Sequence, residues 1–265
     1  ALMDAGVHFN KRVRLIFGGD EENFWRCIKH YKVNEEIPDL GFSPDSRFPV
    51  TYAEKGLLQA RLVGDNEHGV RLSGGSTFNA VPSQAFYYSQ QQADLISQLQ
   101  ALGYAYNVHF DNIEVKGKAA HALAAEEGVN AIARLCVALR ATGIESKAIN
   151  FIADKIGEDP YARSIFGECS DEISGRLRFN IGMIDLDGVE QISIDTRIPV
   201  TVPKEEIVAK LSTAALDYGL EYHEHDWLAP SHVPVDHFIV KTLLKVYQEH
   251  SGDTSTSPRA SGGAT

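Results

Sequence analysis

The chain has 265 residues, 43% of them hydrophobic and 23% charged, which is ample apolar material for one large core or two modest ones. A formal net charge of −11 leaves no basic stripe for phosphates or anionic headgroups, so nucleic acid and membrane surfaces are not expected partners. No run approaches the roughly 18–20 apolar residues of a membrane span and no charged-then-apolar leader opens the chain, which favours the cytoplasm.

The opening residues read as the last turns of a helix, followed by a turn at Gly6. Residues 13–17 are a short β-rich apolar run that closes on Gly18-Gly19, predicting a buried strand. An acidic cluster, Asp20-Glu21-Glu22, comes next, and 24–32 is amphipathic, so the unit reads strand, turn, helix. Pro44 and Pro49 disfavour helix around them, which makes 41–45 a loop leading into a strand at 48–50.

From about residue 55 the texture changes to alternating runs at 57–63 and 69–72, the mark of antiparallel strands with one wet face. A helix is expected over 89–102, one alternating strand over 104–115 and a long helix over 127–142, after which 148–156 stays apolar. Strands at 179–185 and 189–197 flank a Leu186-Asp187-Gly188 hairpin turn. Residues 204–218 have helical spacing, 220–227 return as a strand, and 236–250 form one more amphipathic helix before the chain stops in a Gly-rich turn. The fold class is therefore α/β: a core piece over 1–52, an inserted α+β domain over 53–233, and a return to the core over 234–265.

Few residues carry obvious chemistry. The cysteines, Cys27, Cys136 and Cys169, are odd in number and lack CxxC spacing, which argues for idle thiols over a disulfide framework or zinc knuckle. Adjacent carboxylates at a strand mouth, Glu21 and Glu22, can point in different directions, so one can bind a metal while the other handles a proton. On the residues alone the first reading is a solvated acidic turn favouring the next helix N-terminus. Asp45, in a Ser-Pro-Asp turn, is a third acid or a simple turn residue. His223 and His225 alternate on a strand, but Glu221 and Glu224 beside them favour a solvated edge over a metal pair.

Taken in order, RLIFGGDEEN, HYK and GFSPDSRFPV resemble the di-zinc aminoacylase and carboxypeptidase superfamily, most closely its V-type bacterial dipeptidase branch. The resemblance continues through Gly74-Gly75, Asn79-Ala80-Val81-Pro82, the 117–122 run GKAAHA, Glu127 to Ala131, Asp195-Thr196-Arg197-Ile198-Pro199 and Ser261-Gly262-Gly263-Ala264-Thr265. It implies a zinc-peptidase α/β domain whose inserted domain acts as a lid, and hydrolysis of small peptides or, with the same chemistry, of N-acyl amino acids. Glu21 matches the general base, Glu22 and Asp45 match ligands of separate zinc ions, and manganese or cobalt could stand in for zinc.

Asn79, His121 and Arg197 match lid residues that close on the substrate, with His121 stabilising the oxyanion and Arg197 the peptide carboxylate. The Gly262-Gly263 turn matches a backbone-lined pocket for that carboxylate. The superfamily's other metal ligands match positions before Ala1 and beyond Thr265, so this chain by itself is expected to be an inactive, monomeric portion that binds zinc weakly. A non-catalytic relative whose lid serves as a binding module is the rival reading.

Overall fold

Alternation decides the architecture. In the strand Gly56–Asp65 (β1), Leu58, Ala60 and Leu62 are buried while their neighbours are half-exposed, so one face of the strand must be covered. Seven more strands join it: Leu72–Gly74 (β2), Gln84–Tyr88 (β3), Tyr106–Val108 (β4), Asn112–Lys116 (β5), Arg178–Asp185 (β6), Val189–Ile198 (β7) and Glu221–Leu228 (β8). They form an eight-stranded sheet in the order β8-β1-β7-β6-β2-β3-β5-β4, with every neighbouring pair antiparallel.

The computed structural model describes residues 4, 6–20 and 25–263. The chain divides into two compact units, Ala1–Pro44 with Thr265, and Asp45–Ala264. In the first, Arg26–Asn34 (α1) is the expected helix, and Asp20 accepts hydrogen bonds from the Arg26 amide and guanidinium at its start. The run 13–17 is not the expected strand: it takes no regular structure, and Leu15 and Phe17 are exposed. Apolar content alone does not make a buried strand, because the ladder also needs a neighbour, and among the described residues none pairs with it.

In the second unit, Ala93–Leu102 (α2), Ala131–Ala141 (α3), Lys147–Phe151 (α4) and Lys204–Leu216 (α5) share one core with the sheet. Their buried residues follow the helical period, as Leu95 and Leu99 do in α2 and Ile207, Leu211 and Ala215 in α5. Asn130 caps α3 by accepting from the Ile132 and Ala133 amides, and Ile132, Leu135 and Leu139 are buried. The single strand expected over 104–115 is instead the hairpin β4–β5, closed where His109 N donates to Asn112 O at 2.8 Å, with Phe110 exposed at the bend.

A second, three-stranded sheet sets Thr51–Glu54 between Ser231–His232, antiparallel, and Arg259–Ser261, parallel. It draws the Gly262-Gly263 segment to the start of β1, where Lys55 N donates to Ser261 O at 3.2 Å. The helix Phe238–Ser251 (α6) connects two of its strands. The whole is mixed α/β, and no helix among the described residues is long and apolar enough to cross a membrane.

Leu135→Ala removes a fully buried side chain from the α3 face and should destabilise the fold by about 2–5 kcal/mol in urea unfolding. Lys245→Ala, which loosens an exposed pair with Glu249, should stay within about 0.5 kcal/mol of wild type.

Candidate functional site

Glu21 and Glu22 lie outside the described residues. Asp45 is exposed, and among the described residues no group of three or more His, Cys, Asp or Glu could hold a metal ion. His223 and His225 form no pair for a metal: the His225 ring stacks on Phe78 at 4.7 Å, and His223 Nε2 lies 3.7 Å from Glu221. Two further histidines have structural places: His237 caps α6 by accepting from Ile239 N at 3.3 Å, and the His232 backbone pairs with Ala53.

The remaining candidates gather at one end of the large sheet, and a glycine starts the arrangement. Between β6 and β7 the register slips by one residue around Gly182. A Cβ on Gly182 would stand 2.5 Å from Phe78 O and 2.6 Å from Thr77 O, so only glycine lets the 77–79 loop lie on the sheet there. Gly75 answers it from the loop, with φ +73° and a would-be Cβ 1.9 Å from Gly182 O. Buried Asn180 then pins the loop by donating from Nδ2 to Phe78 O and Ala80 O, both at 2.9 Å. Asn79 is thereby held at the surface, its Oδ1 accepting from Thr77 Oγ1 at 2.8 Å.

His121 is fixed to Asn79 through backbone. Ala80 pairs with His121 in a short antiparallel ladder, and Ala122 N donates to Asn79 O at 2.8 Å. The imidazole Nδ1 accepts from Leu123 N at 3.1 Å, which caps the 3-10 turn Ala122–Glu127. An acceptor at Nδ1 places the proton of the neutral ring on Nε2, as a donor. Burial, then the Arg197 guanidinium, holds the imidazole below its usual range, while Asp195 works weakly the other way.

Arg197 and Asp195 alternate along β7 onto the same face and are both buried. Arg197 Nε donates to Asp195 Oδ1 at 2.6 Å and Nη2 to Oδ2 at 3.1 Å, a side-on fork. Gln59 Nε2 donates to Asp195 Oδ2 at 3.2 Å. The other end of the guanidinium faces the glycine turn, where Nη1 lies 3.5 Å from Gly262 O. Gly262 is closely packed, since a Cβ there would meet Leu123 O at 3.0 Å and Arg178 Nη1 at 3.4 Å. In the turn itself Gly263 N donates to Ser261 Oγ at 3.0 Å.

Two further cations stand here that the motifs did not single out. Arg178 is the cross-strand partner of Arg197, and Glu126 neutralises it, accepting from Nε at 2.7 Å and from Nη2. Lys55 is buried with its ammonium donating to Arg176 O, and burial, then Arg178, pushes its pKa down to about 8. The signal for Arg178 in the sequence is its place in the 176–179 run RLRF, which reads equally as a solvated strand end.

Asn79, His121, Arg197 and Gly262 thus form one connected cluster, while Asp45 is tied to it by no described contact. It offers an Nε2–H donor, guanidinium ends and a backbone turn, a set suited to carboxylates and developing oxyanions.

In sequence the chain is 31% identical over 272 residues to "Putative dipeptidase YtjP" of Bacillus subtilis (strain 168), a match covering 94% of this chain and 58% of that protein. A Staphylococcus saprophyticus protein of the same description is 28% identical over 291 residues, covering 100% of this chain and 61% of the relative. The chain is a homologue of bacterial proteins described as dipeptidases. Those descriptions agree with the peptide-hydrolase side of the resemblance. It spans about three fifths of the length of these curated relatives. No family model matches it. Among solved structures, an aminoacylhistidine dipeptidase from Vibrio alginolyticus aligns with a TM-score of 0.39 and 11% identity, over 82% of this chain and 52% of that one.

The cluster predicts a distinctive histidine. In a 15N-detected NMR titration, His121 should be the Nε2–H tautomer at neutral pH with a midpoint below 6.5, and Arg197→Gln should move that midpoint upward. A midpoint above 6.5, or no response to the substitution, would contradict the electrostatics described.

Proposed function

We propose that this chain supplies the substrate-closing lid, over 53–233, and part of the catalytic domain of a dipeptidase acting on dipeptides or short peptides. The observation that carries the reading is the convergence of Asn79, His121, Arg197 and the Gly262-Gly263 turn, far apart in sequence, on one polar cluster. The relatives' description as dipeptidases supports the same substrate class. In this reading the enzyme is a cytoplasmic monomer that takes no nucleic acid or membrane partner.

Each donor then has a task. His121, exposed at the cluster, donates its Nε2–H to the scissile carbonyl oxygen as negative charge develops. Arg197, its side-on edge held by Asp195, presents Nη1 with the glycine turn to the peptide's C-terminal carboxylate. Asn79 adds an amide beside His121. Glu21 would take the proton of the attacking water.

The metal expectation is only partly met by this chain's donors. Of the implied ligands Asp45 alone is described, and one carboxylate is not a zinc site, which takes about three protein ligands plus water. A pair of zinc ions, or manganese or cobalt, would need Glu22 and donors beyond the described residues, and would supply an activated water.

Two experiments bear on this. The full-length protein should hydrolyse dipeptides, lose the activity on exhaustive chelation and regain it with added zinc, manganese or cobalt; activity surviving at near-zero metal content would contradict the reading. Arg197→Lys should weaken turnover of free dipeptides by at least about tenfold more than that of C-terminally amidated ones, because an ammonium cannot reproduce the fork. Equal losses on both substrates would assign Arg197 to the Asp195 ion pair alone.

A further inference from the structure

Each arginine at the glycine turn has one edge taken and one end left over. Glu126 holds Arg178 through Nε and Nη2, as Asp195 holds Arg197 through the same two nitrogens. Both Nη1 groups adjoin Gly262: Arg197's donates to its carbonyl oxygen at 3.5 Å, leaving its second N–H over, and Arg178's lies 3.4 Å from where its Cβ would be. Arg178 Nη1 has no hydrogen-bond partner among the described residues. Its side chain is 25% exposed against 5% for Arg197, so it is the more accessible of the two forks.

Like charges directly across a strand pair are unfavourable. Here Glu126 and Asp195 balance the two guanidiniums, and Lys55 adds a third cation beneath them. Glu126 and Asp195 account for the side-on edges and Gly262 O for one N–H of Arg197 Nη1; among the described residues no acceptor accounts for Arg178 Nη1. A guanidinium can donate to carboxylates along more than one edge, and a single amino acid with an acidic side chain carries two carboxylates a short distance apart.

We propose that Arg178 is a second carboxylate-reading residue of this site, and that the site favours peptides whose C-terminal residue is Asp or Glu. This rests on the dipeptidase reading above for the identity of the ligand. Arg197 and the glycine turn take the α-carboxylate, and Arg178 takes the side-chain carboxylate beside it. Gly262 is needed between them because any Cβ would stand in contact with Arg178 Nη1 and within 3.0 Å of Leu123 O. The role of Glu126 is to keep Arg178 in place while leaving that end free.

The test is calorimetric binding of Ala-Glu and Ala-Gln to the full-length protein freed of metal by chelation, so that neither ligand is consumed. Wild type should prefer Ala-Glu by about tenfold or more, the discrimination of one charge-assisted pair. Arg178→Gln should bring the ratio to within about twofold of unity, and Arg178→Lys, which keeps the charge but not the fork, should lower it. Glu126→Gln should keep or widen it, which also covers the case in which Arg178→Gln does not fold. A wild-type ratio near unity, or one that Arg178 variants leave unchanged, overturns the proposal and assigns Arg178 to holding the 3-10 turn through Glu126. Failure of the parent reading looks different: no dipeptide is hydrolysed with metal restored, while the Arg178-dependent preference in binding persists.

Discussion

A guanidinium cannot be buried without a partner, and the Asp195–Arg197 pair is the constraint on which the rest of this site depends. Both groups sit on the central strand β7 with almost no exposure, and removing one would leave the other as an uncompensated buried charge, a loss of about 3–5 kcal/mol. Two residues apart on a strand, they share a face, so the pair forms within the backbone's own geometry. Because Asp195 takes the Nε side, the guanidinium is held in one orientation, with Nη1 toward Gly262. After burial, the same cation lowers the His121 pKa. An ion pair that stabilises the sheet little in net terms thereby fixes the direction in which two functional groups point.

The bulge at Gly182 is the second constraint. Without it the hairpin would continue the register of Asp185 with Gln191 and set Phe179 across from Arg197; with it, Arg178 stands there. The same glycine is the floor on which Thr77 and Phe78 rest, so one irregularity positions both Asn79 and Arg178. Asn180 and Asn130 secure it, Asn130 capping α3 with its oxygen and donating with its nitrogen to Ile181 O at 2.8 Å. A donor network of this kind is rigid because every amide is used.

Much of this was legible in the sequence where local chemistry sets the outcome. Leu186-Asp187-Gly188 announces its hairpin because the turn needs a residue at positive φ, and Gly188 has φ +87°. The strand of Leu58 and Leu62 and the helix of Leu135 and Leu139 follow from period, since each buries one face. Asn79, His121, Arg197 and Gly262 were visible as motifs, although not as neighbours. Long-range pairing was not legible. The apolar run 13–17 has the composition of a strand and takes no strand conformation, and 104–115 alternates evenly across a bend that its composition does not mark. Arg178 was missed because its partner depends on a one-residue slip that only the packing of Gly182 under Phe78 O enforces. The engagement of Arg197 by Asp195 was open to inference from strand period alone, and the attraction of a free fork hid it.

The central claim is that the guanidinium ends at the glycine turn receive a peptide's carboxylates. It is tested most directly by following the side-chain Nη resonances of a 15N-arginine-labelled protein as a dipeptide ending in Glu is added. The account predicts that Arg197 and Arg178 shift and sharpen together with saturation, while Arg61, whose guanidinium lies over the Phe78 ring, stays where it is. Saturable binding of the peptide with both of those resonances unmoved would contradict it.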